Sequence, residues 1–416
     1  MIIDAKAYNG ACGCGKSHEM QTKICIIEAG ALKNIKKYLS EIAPVGKSCA
    51  IYDENTYRAT EGRHPAADFE IILSPEGLHA DNEATDLALS RIPADTGYLI
   101  AVGAGTVHDI TRYSAAKLGL EFISCPTAAS VDGFCSSVAA MTWHGFKKTF
   151  SATAPMAVIA DLDIIAAAPK RLSASGFGDM IGKFISLSDW RVSHILTGEY
   201  LCERIYGMTI DATRAVMAAA EGIALGSHDA YEKLTYGLLM SGLAMQLLTN
   251  SRCASGAEHH VSHLIEMQPE GLGVSSDALH GEKVGVGTLI AAGEYHRIRN
   301  MSSPVFGDYE MPSEDSIRAV FGSLSASIIE ENSPAAAEAV KADMLASKWD
   351  EICAAIDEIP TVEELMPKYE LLGMRRTLSD IDVDEGKLPE ILDYSPLVRN
   401  RITLMRLRRS IKEAAV

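Results

Sequence analysis

Tyr98-Leu99-Ile100-Ala101-Val102 runs without a polar residue into Gly103-Ala104-Gly105-Thr106-Val107-His108-Asp109. An apolar run of strand length predicts a strand covered on both faces, as in a parallel sheet. Glycines directly after such a strand let backbone N–H groups approach a diphosphate, and a following helix N-terminus favours its charge. Similar runs lie at 23–27, 48–52 and 69–73 before this stretch, and at 122–125 and 157–161 after it. Helical spacing at 32–39 and 84–91 falls between them, so the first part predicts an α/β domain.

Two further segments sit where open α/β sheets bind ligands, at the carboxyl ends of strands. Asp53 ends the second expected strand, where a carboxylate can accept hydrogen bonds from an adenosine ribose and repel a 2′-phosphate, favouring NAD over NADP. Capping the next helix is the alternative reading of the same residue. Pro126-Thr127-Ala128-Ala129-Ser130-Val131-Asp132-Gly133-Phe134-Cys135-Ser136-Ser137 is dense in hydroxyls and follows the fifth strand. Asp132 in that loop can bind substrate hydroxyls or close an Asx turn at Asp-Gly.

From Ser173 onward strand signals thin out. Residues 212–225, 230–248, 281–292, 313–324, 335–345 and 361–372 read as helices, with Met as core filler. The chain is therefore expected to hold a domain at 1–170 and a helical one at 171–416, as a length of 416 residues suggests. In Ala257-Glu258-His259-His260-Val261-Ser262-His263, His259 and His263 share one helical face, while His260 lies about 100° round. Two imidazoles on one face are consistent with a metal but do not establish one.

A net charge of −17 argues against a nucleic-acid binder, which needs a basic face. No apolar run reaches the roughly 18 residues that span a bilayer, and the N-terminus lacks the pattern of a signal peptide, so a cytoplasmic protein without stable membrane insertion is expected. Nine cysteines in largely apolar surroundings read as reduced, buried thiols. Cys12-Gly13-Cys14-Gly15-Lys16-Ser17-His18 offers only three local ligands, so we read it as a glycine-rich turn in an N-terminal hairpin, with a metal role as the alternative. The basic tail at 397–415 reads as a docked terminal helix, with a lipid-facing helix as the alternative.

Several of these segments together resemble the sn-glycerol-1-phosphate dehydrogenase family, within the superfamily of iron-containing alcohol dehydrogenases, glycerol dehydrogenase and dehydroquinate synthase. They are Gly103-Ala104-Gly105-Thr106-x-x-Asp109, Pro126-Thr127-x-x-Ser130-x-Asp132-Gly133-x-x-Ser136, and Gly176-Phe177-Gly178-Asp179-Met180-Ile181-Gly182-Lys183. Ser255-Gly256-Ala257-Glu258-His259-x3-His263 and His280-Gly281-Glu282-Lys283-Val284-Gly285-x-Gly287 follow in the family's order, and the match spans roughly residues 20 to 300. The first loop reads Gly-Ala-Gly where many members carry three glycines. The Cys-x-Cys cluster and the long tail look like bacterial-type members.

The resemblance implies a Rossmann-like α/β domain for NAD(H) or NADP(H), an all-α domain carrying a divalent metal, and an active site in the cleft between them. Asp179, His259 and His280 fall on the family's metal-ligand positions, and Asp132, Asp179 and His263 on its substrate contacts. Gly105, Thr106, Val107, His108, Asp109, Thr127, Ala128, Ala129, Ser130 and Ser136 fall on its cofactor positions; the strand-end Gly103 joins them on the reading above. Imidazole and carboxylate suit Zn²⁺, Ni²⁺ and Fe²⁺ alike. The expected reaction is NAD(P)H-dependent reduction of dihydroxyacetone phosphate to sn-glycerol 1-phosphate, with His263, of ordinary imidazole pKa, holding substrate or relaying the proton through water. Orienting Glu258 or a solvent molecule is the alternative role for His263. A glycerol or other polyol dehydrogenase is the alternative, and a dehydroquinate synthase-like cyclase a more distant one. A homodimer or larger homo-oligomer is expected from the family. Lys147, Lys148 and Lys183 are candidates to offset phosphate charge, though solvated surface positions are the preferred reading for each.

Overall fold

The computed structural model describes residues 1–144 and 146–414, without the side chains of 146–148. The side chains of Lys147 and Lys148 and the Ala415 end of the basic tail therefore lie outside the described residues. The chain divides into two compact units, residues 1–180 with 214–250, and residues 181–213 with 251–416.

In the first unit, strand β1 (Ile2–Asp4) precedes a hairpin of β2 (Gly10–Ala11) and β3 (Ser17–His18). The main strands are β4 (Ile24–Glu28), β5 (Lys47–Asp53), β6 (Phe69–Leu73), β7 (Thr96–Gly103) and β8 (Glu121–Pro126). A separate antiparallel pair, β9 (Val138–Trp143) and β10 (Phe146–Ser151), precedes the last of them, β11 (Ala157–Asp161). Between the main strands run α1 (Ile35–Ile42), α2 (Glu54–Ala59), α3 (Asn82–Arg91) and α4 (Gly105–Leu118). The sheet order is β1-β4-β11-β8-β7-β5-β6, parallel apart from β1. Side chains alternate across it. Tyr98, Ile100 and Val102 pack with Ile35 and Tyr38 on one face, while Leu99 and Ala101 pack with Ala88 and Ile110 on the other.

This order has a functional consequence. From β5 the chain moves outward to β6, returns to place β7 beside β5, then proceeds in the opposite direction to β8 and β11. The reversal lies between β5 and β7, which end at Asp53 and Gly103. A reversal of this kind opens a crevice at the carboxyl edge of a parallel sheet. The six main strands all fall where the apolar runs predict them, whereas the β9–β10 pair is an addition to the expected elements.

After β11 the chain is helical: α5 (Leu162–Ala167), α6 (Lys170–Ile181), α7 (Lys183–Thr197), α8 (Glu203–Ala218), α9 (Ala220–Leu225), α10 (His228–Leu248), α11 (Ala257–Met267) and α12 (His280–Arg299). In the second unit, Val261, Leu264 and Ile265 of α11 pack with Val286 of α12 and with Ile317, Phe321 and Ile381. The second half is helical as expected, with two corrections. The expected helix at 335–345 is a 3₁₀ turn, Ala336–Ala339, and a short helix, Ala342–Ser347, separated by extended backbone at Val340 and Lys341. The basic tail is not a single helix but short turns around 404–407, ending in a strand, Ile411–Glu413, that pairs with Pro304–Phe306. Its arginines explain the break. Arg406 is buried and donates to the Pro396 and Arg399 carbonyls and to Asn332, so it holds the chain by backbone contacts that a regular helix would use internally.

Two predictions follow from the first unit's packing. A Cβ at Gly176 would stand 2.0 Å from the Ala129 carbonyl oxygen, whereas one at Gly207 would meet nothing within 4 Å. Gly176→Ala should destabilise by about 1–3 kcal/mol in urea unfolding, while Gly207→Ala should be neutral or stabilising. Equal effects would contradict this packing. The second concerns His108, buried on α4 with Nδ1 on the Ala104 carbonyl and Nε2 2.7 Å from Ser124 Oγ. Burial pushes its pKa down to about 3, against a smaller upward pull from the Ala104 bond. The unfolded chain then binds a proton between about pH 6.5 and 3 that the folded chain refuses, so His108 makes stability fall as pH drops through that window. The stability gap between wild type and His108→Asn should therefore narrow below pH ~6.5; a gap independent of pH would refute it.

Candidate active site and metal centre

The glycine segment occupies the turn from β7 into α4, with Ala104 at the N-cap. Val107 and His108 are buried, His108 N–H donates to the Ala104 carbonyl within the first turn, and Asp109 is bonded to Arg112 at 2.8 Å. The neighbouring loop is tied to the same turn, since Thr127 N–H donates to the Gly103 carbonyl at 3.0 Å. Thr127, Ala128, Ala129 and Ser130 are all buried, and Ser136 closes a local turn by accepting from Val138 N–H and donating to the Val138 carbonyl. Arg112, which composition gave no reason to single out, reaches the carbonyls of Gly133, Phe134 and Val138 from within the core. A buried guanidinium with five donors can organise a loop that has few regular hydrogen bonds.

Asp53 caps α2: its Oδ1 accepts from the N–H groups of Asn55 and Thr56. The carboxylate nevertheless stands at the sheet's point of reversal. Asp132 starts a short 3₁₀ turn after the hydroxyl-rich loop. Its N–H donates to Asp179 Oδ2 at 2.9 Å, and its own Oδ2 accepts from Ser241 Oγ at 2.8 Å. Asp179, on α6, is fully buried. Ser241 lay in a plain apolar helix by sequence, and nothing local marks it as a partner of Asp132.

The second unit brings together His259, His263 and His280. Ring centroids lie 5.8 Å apart for His259 and His263, 5.4 Å for His259 and His280, and 5.9 Å for His263 and His280. Gly287 permits this, because a Cβ there would stand 2.5 Å from the Glu258 carbonyl oxygen where α12 crosses α11. The N-terminus of α11 is set by Asp189, whose Oδ2 accepts from Ala257 N–H. Burial pushes that carboxyl up to about 7, with the nearby Arg252 opposing the shift.

Two carboxylates orient the histidines. His259 Nδ1 lies 2.6 Å from Glu258 Oε1, and His280 Nδ1 lies 3.0 Å from Glu266 Oε1. Burial pushes the Glu266 carboxyl up, but the charge and hydrogen bond of His280, with Lys283 and His263, outweigh it and hold it well below the usual range. An ionised carboxylate only accepts, so each facing Nδ1 carries a proton, and in the neutral imidazole the lone pair then lies at Nε2. That is the tautomer a metal requires, oriented as metal-ligating histidines are. The donor set therefore fits a divalent ion. Glu258 was visible in the motif; Glu266, three residues beyond His263 on the same face, was missed, though that spacing could have revealed it.

Two sequence expectations need correction. Burial holds the His263 pKa well below its ordinary value, against an upward pull from Glu266, so the imidazole is neutral rather than near its midpoint. Lys183 is not a solvated surface residue; it is fully buried, and its Nζ donates to the Ala254 carbonyl at 3.1 Å.

A family profile described as iron-containing alcohol dehydrogenase matches residues 26–169. The chain is 33% identical over 418 aligned residues to glycerol-1-phosphate dehydrogenase (NAD(P)+) of Bacillus licheniformis, covering 98% of this chain and 94% of that protein. It is 32% identical to the protein of the same name from Halalkalibacterium halodurans, with 97% of each chain covered. Among solved structures it is similar to a probable glycerol dehydrogenase from Sinorhizobium meliloti, with a TM-score of 0.60, 18% identity, and 95% of this chain and 93% of that one covered. That likeness establishes the two-part fold, and the sequence likeness goes further: the chain belongs to the glycerol-1-phosphate dehydrogenase family of the iron-containing alcohol dehydrogenases.

Proposed function

We propose that the chain reduces dihydroxyacetone phosphate to sn-glycerol 1-phosphate with NAD(P)H and a divalent metal held by Asp179, His259 and His280. The observation that carries the metal assignment is the pair of carboxylate contacts that leaves Nε2 of both histidines as lone-pair donors. One carboxylate and two imidazoles leave coordination positions open, as a catalytic site requires. When bound, the ion would polarise the substrate carbonyl and the nicotinamide would supply the hydride.

The protein's own part is positioning. Gly103, Gly105 and Thr106 offer backbone to the cofactor diphosphate where β7 enters α4, with Asp53 nearby for the ribose. Thr127 to Ser130 form the adjoining wall, and Arg112 keeps the loop beyond it in place. Asp132 is oriented by Ser241 and by its own N–H to Asp179, and is assigned to a substrate hydroxyl. His263, one turn from His259, is assigned to the substrate oxygen. Being neutral, it can donate one N–H there and accept a proton at its other nitrogen, which suits a relay better than a charged imidazolium would. Of Zn²⁺, Ni²⁺ and Fe²⁺ the donors select none, and a homodimer or larger assembly is proposed from the family alone.

The direct test adds dihydroxyacetone phosphate and NADH, or NADPH, to metal-stripped protein with each of the three ions in turn. Oxidation of the reduced cofactor with at least one ion, yielding the sn-1 product in a chiral assay, is expected. No oxidation with any ion would overturn the reading, and equal turnover of unphosphorylated dihydroxyacetone would favour a polyol dehydrogenase instead. His280→Ala should lose both turnover and the tightly held ion. Glu266→Gln should keep the fold but weaken metal affinity by about 10–100-fold, through loss of the ionised partner at His280 Nδ1. Unchanged metal content in His280→Ala would refute the ligand assignment.

A further inference from the structure

The N-terminal hairpin holds a second group of metal-type donors, of different chemistry from the histidine site. β2 and β3 pair with Gly10 opposite His18 and Ala11 opposite Ser17, and the turn between them carries Cys12 and Cys14. Cys12 N–H donates to the Lys16 carbonyl and Gly15 N–H to the Cys12 carbonyl, with Gly15 at φ +85°. A tight turn of this kind presents both sulfurs to one side of the strand that bears His18. The Cys12, Cys14 and His18 donor atoms all lie within 4.8 Å of one another, and Cys14 Sγ stands 3.3 Å from His18 Nε2.

The imidazole is already oriented for coordination. His18 is 4% exposed, and its Nδ1 lies 2.8 Å from the Leu247 carbonyl oxygen at the end of α10. A carbonyl only accepts, so Nδ1 carries the proton and Nε2 directs its lone pair towards the thiols. Bonds of ~2.3 Å to sulfur and ~2.0 Å to nitrogen at a tetrahedral angle would separate the two donors by about 3.5 Å, close to what is seen. Cys12 and Cys14 are also the half-buried pair among the described cysteines; the other seven are buried. Two thiolates and an imidazole form a soft donor set that selects zinc over magnesium or calcium.

We propose that Cys12, Cys14 and His18 bind a Zn²⁺ ion that is separate from the catalytic metal and structural in role. It fastens the turn to β3, while the Leu247 carbonyl fastens His18 to α10. A fourth donor from outside this segment completes the tetrahedron. Binding is coupled to loss of the two thiol protons, so zinc should bind more tightly as pH rises.

The test uses the full chain, stripped with a chelator and titrated with Co²⁺ alone. A thiolate-to-cobalt charge-transfer band is expected in the wild type and in His280→Ala, and its loss is expected in Cys12→Ser/Cys14→Ser. Metal analysis after reconstitution with zinc should show one equivalent per chain fewer in the double variant than in wild type. Should that variant fail to fold, alkylation of wild-type Cys12 and Cys14, mapped by peptide mass spectrometry, decides the matter: zinc should slow it about tenfold or more. No cobalt band in the wild type, a band that survives in a folded double variant, or alkylation indifferent to zinc would each overturn the proposal. Because His280→Ala retains this band, failure here and failure of the catalytic assignment are distinguishable.

Discussion

A carboxylate can only accept a hydrogen bond, and in the helical unit this one-sidedness determines what two histidines can offer a metal. Glu258 and Glu266 each face an Nδ1, so both imidazoles direct Nε2 away from the carboxylates, and a ring that turned over would give up that contact. Removing one partner of such a pair is costly because a desolvated charge remains. The crossing of α11 and α12 at Gly287, the N-terminus of α11 held by Asp189, and the Lys283 ammonium 3.2 Å from Glu266 all serve to maintain these two contacts. The proposed chemistry inherits its orientation from them.

The first unit relies on one helix in a comparable way. Along α10, Ser241 bonds Asp132, Gly242 lies against the Asp132 carbonyl, and Gln246 takes the N–H groups of Gln21 and Thr22 while donating to the Cys135 carbonyl. Leu247 adds its own carbonyl to His18. Consecutive turns of a single helix thus support both the hydroxyl-rich loop and the cysteine-bearing hairpin. The loop has only a short 3₁₀ turn, and the hairpin only two-residue strands, to set its shape.

Much of the α/β part was legible because parallel strands buried on both faces must be apolar throughout, and 98–102 shows this plainly. Their order could not be read, since no local pattern says that β7 returns to lie beside β5. His259 and His263 were visible through helical spacing and His280 through the family resemblance, while the orienting partners were only partly legible: Glu258 adjoins His259, but Glu266 reaches His280 across 14 residues. Arg112, Ser241 and Lys183 were opaque for the same reason. Each acts on backbone or side chains far along the chain, and burial, which sequence states only statistically, decides its role. The pKa of His263 follows the same rule, because desolvation depends on what surrounds a residue rather than on its neighbours in sequence.

The placement of β4 bears on how this protein is made. Its parallel neighbour in the sheet is β11, and Asp161 at the end of that strand accepts the Gly30 N–H from 131 residues away; Gln246 reaches Gln21 across 225. On the ribosome, the Ile24–Glu28 strand therefore emerges long before β11 and α10, with only β1 to pair with meanwhile. Non-local pairing of this kind delays folding and leaves an adhesive edge exposed during synthesis. The nascent chain should thus depend most on chaperone protection during the interval before α10 leaves the exit tunnel.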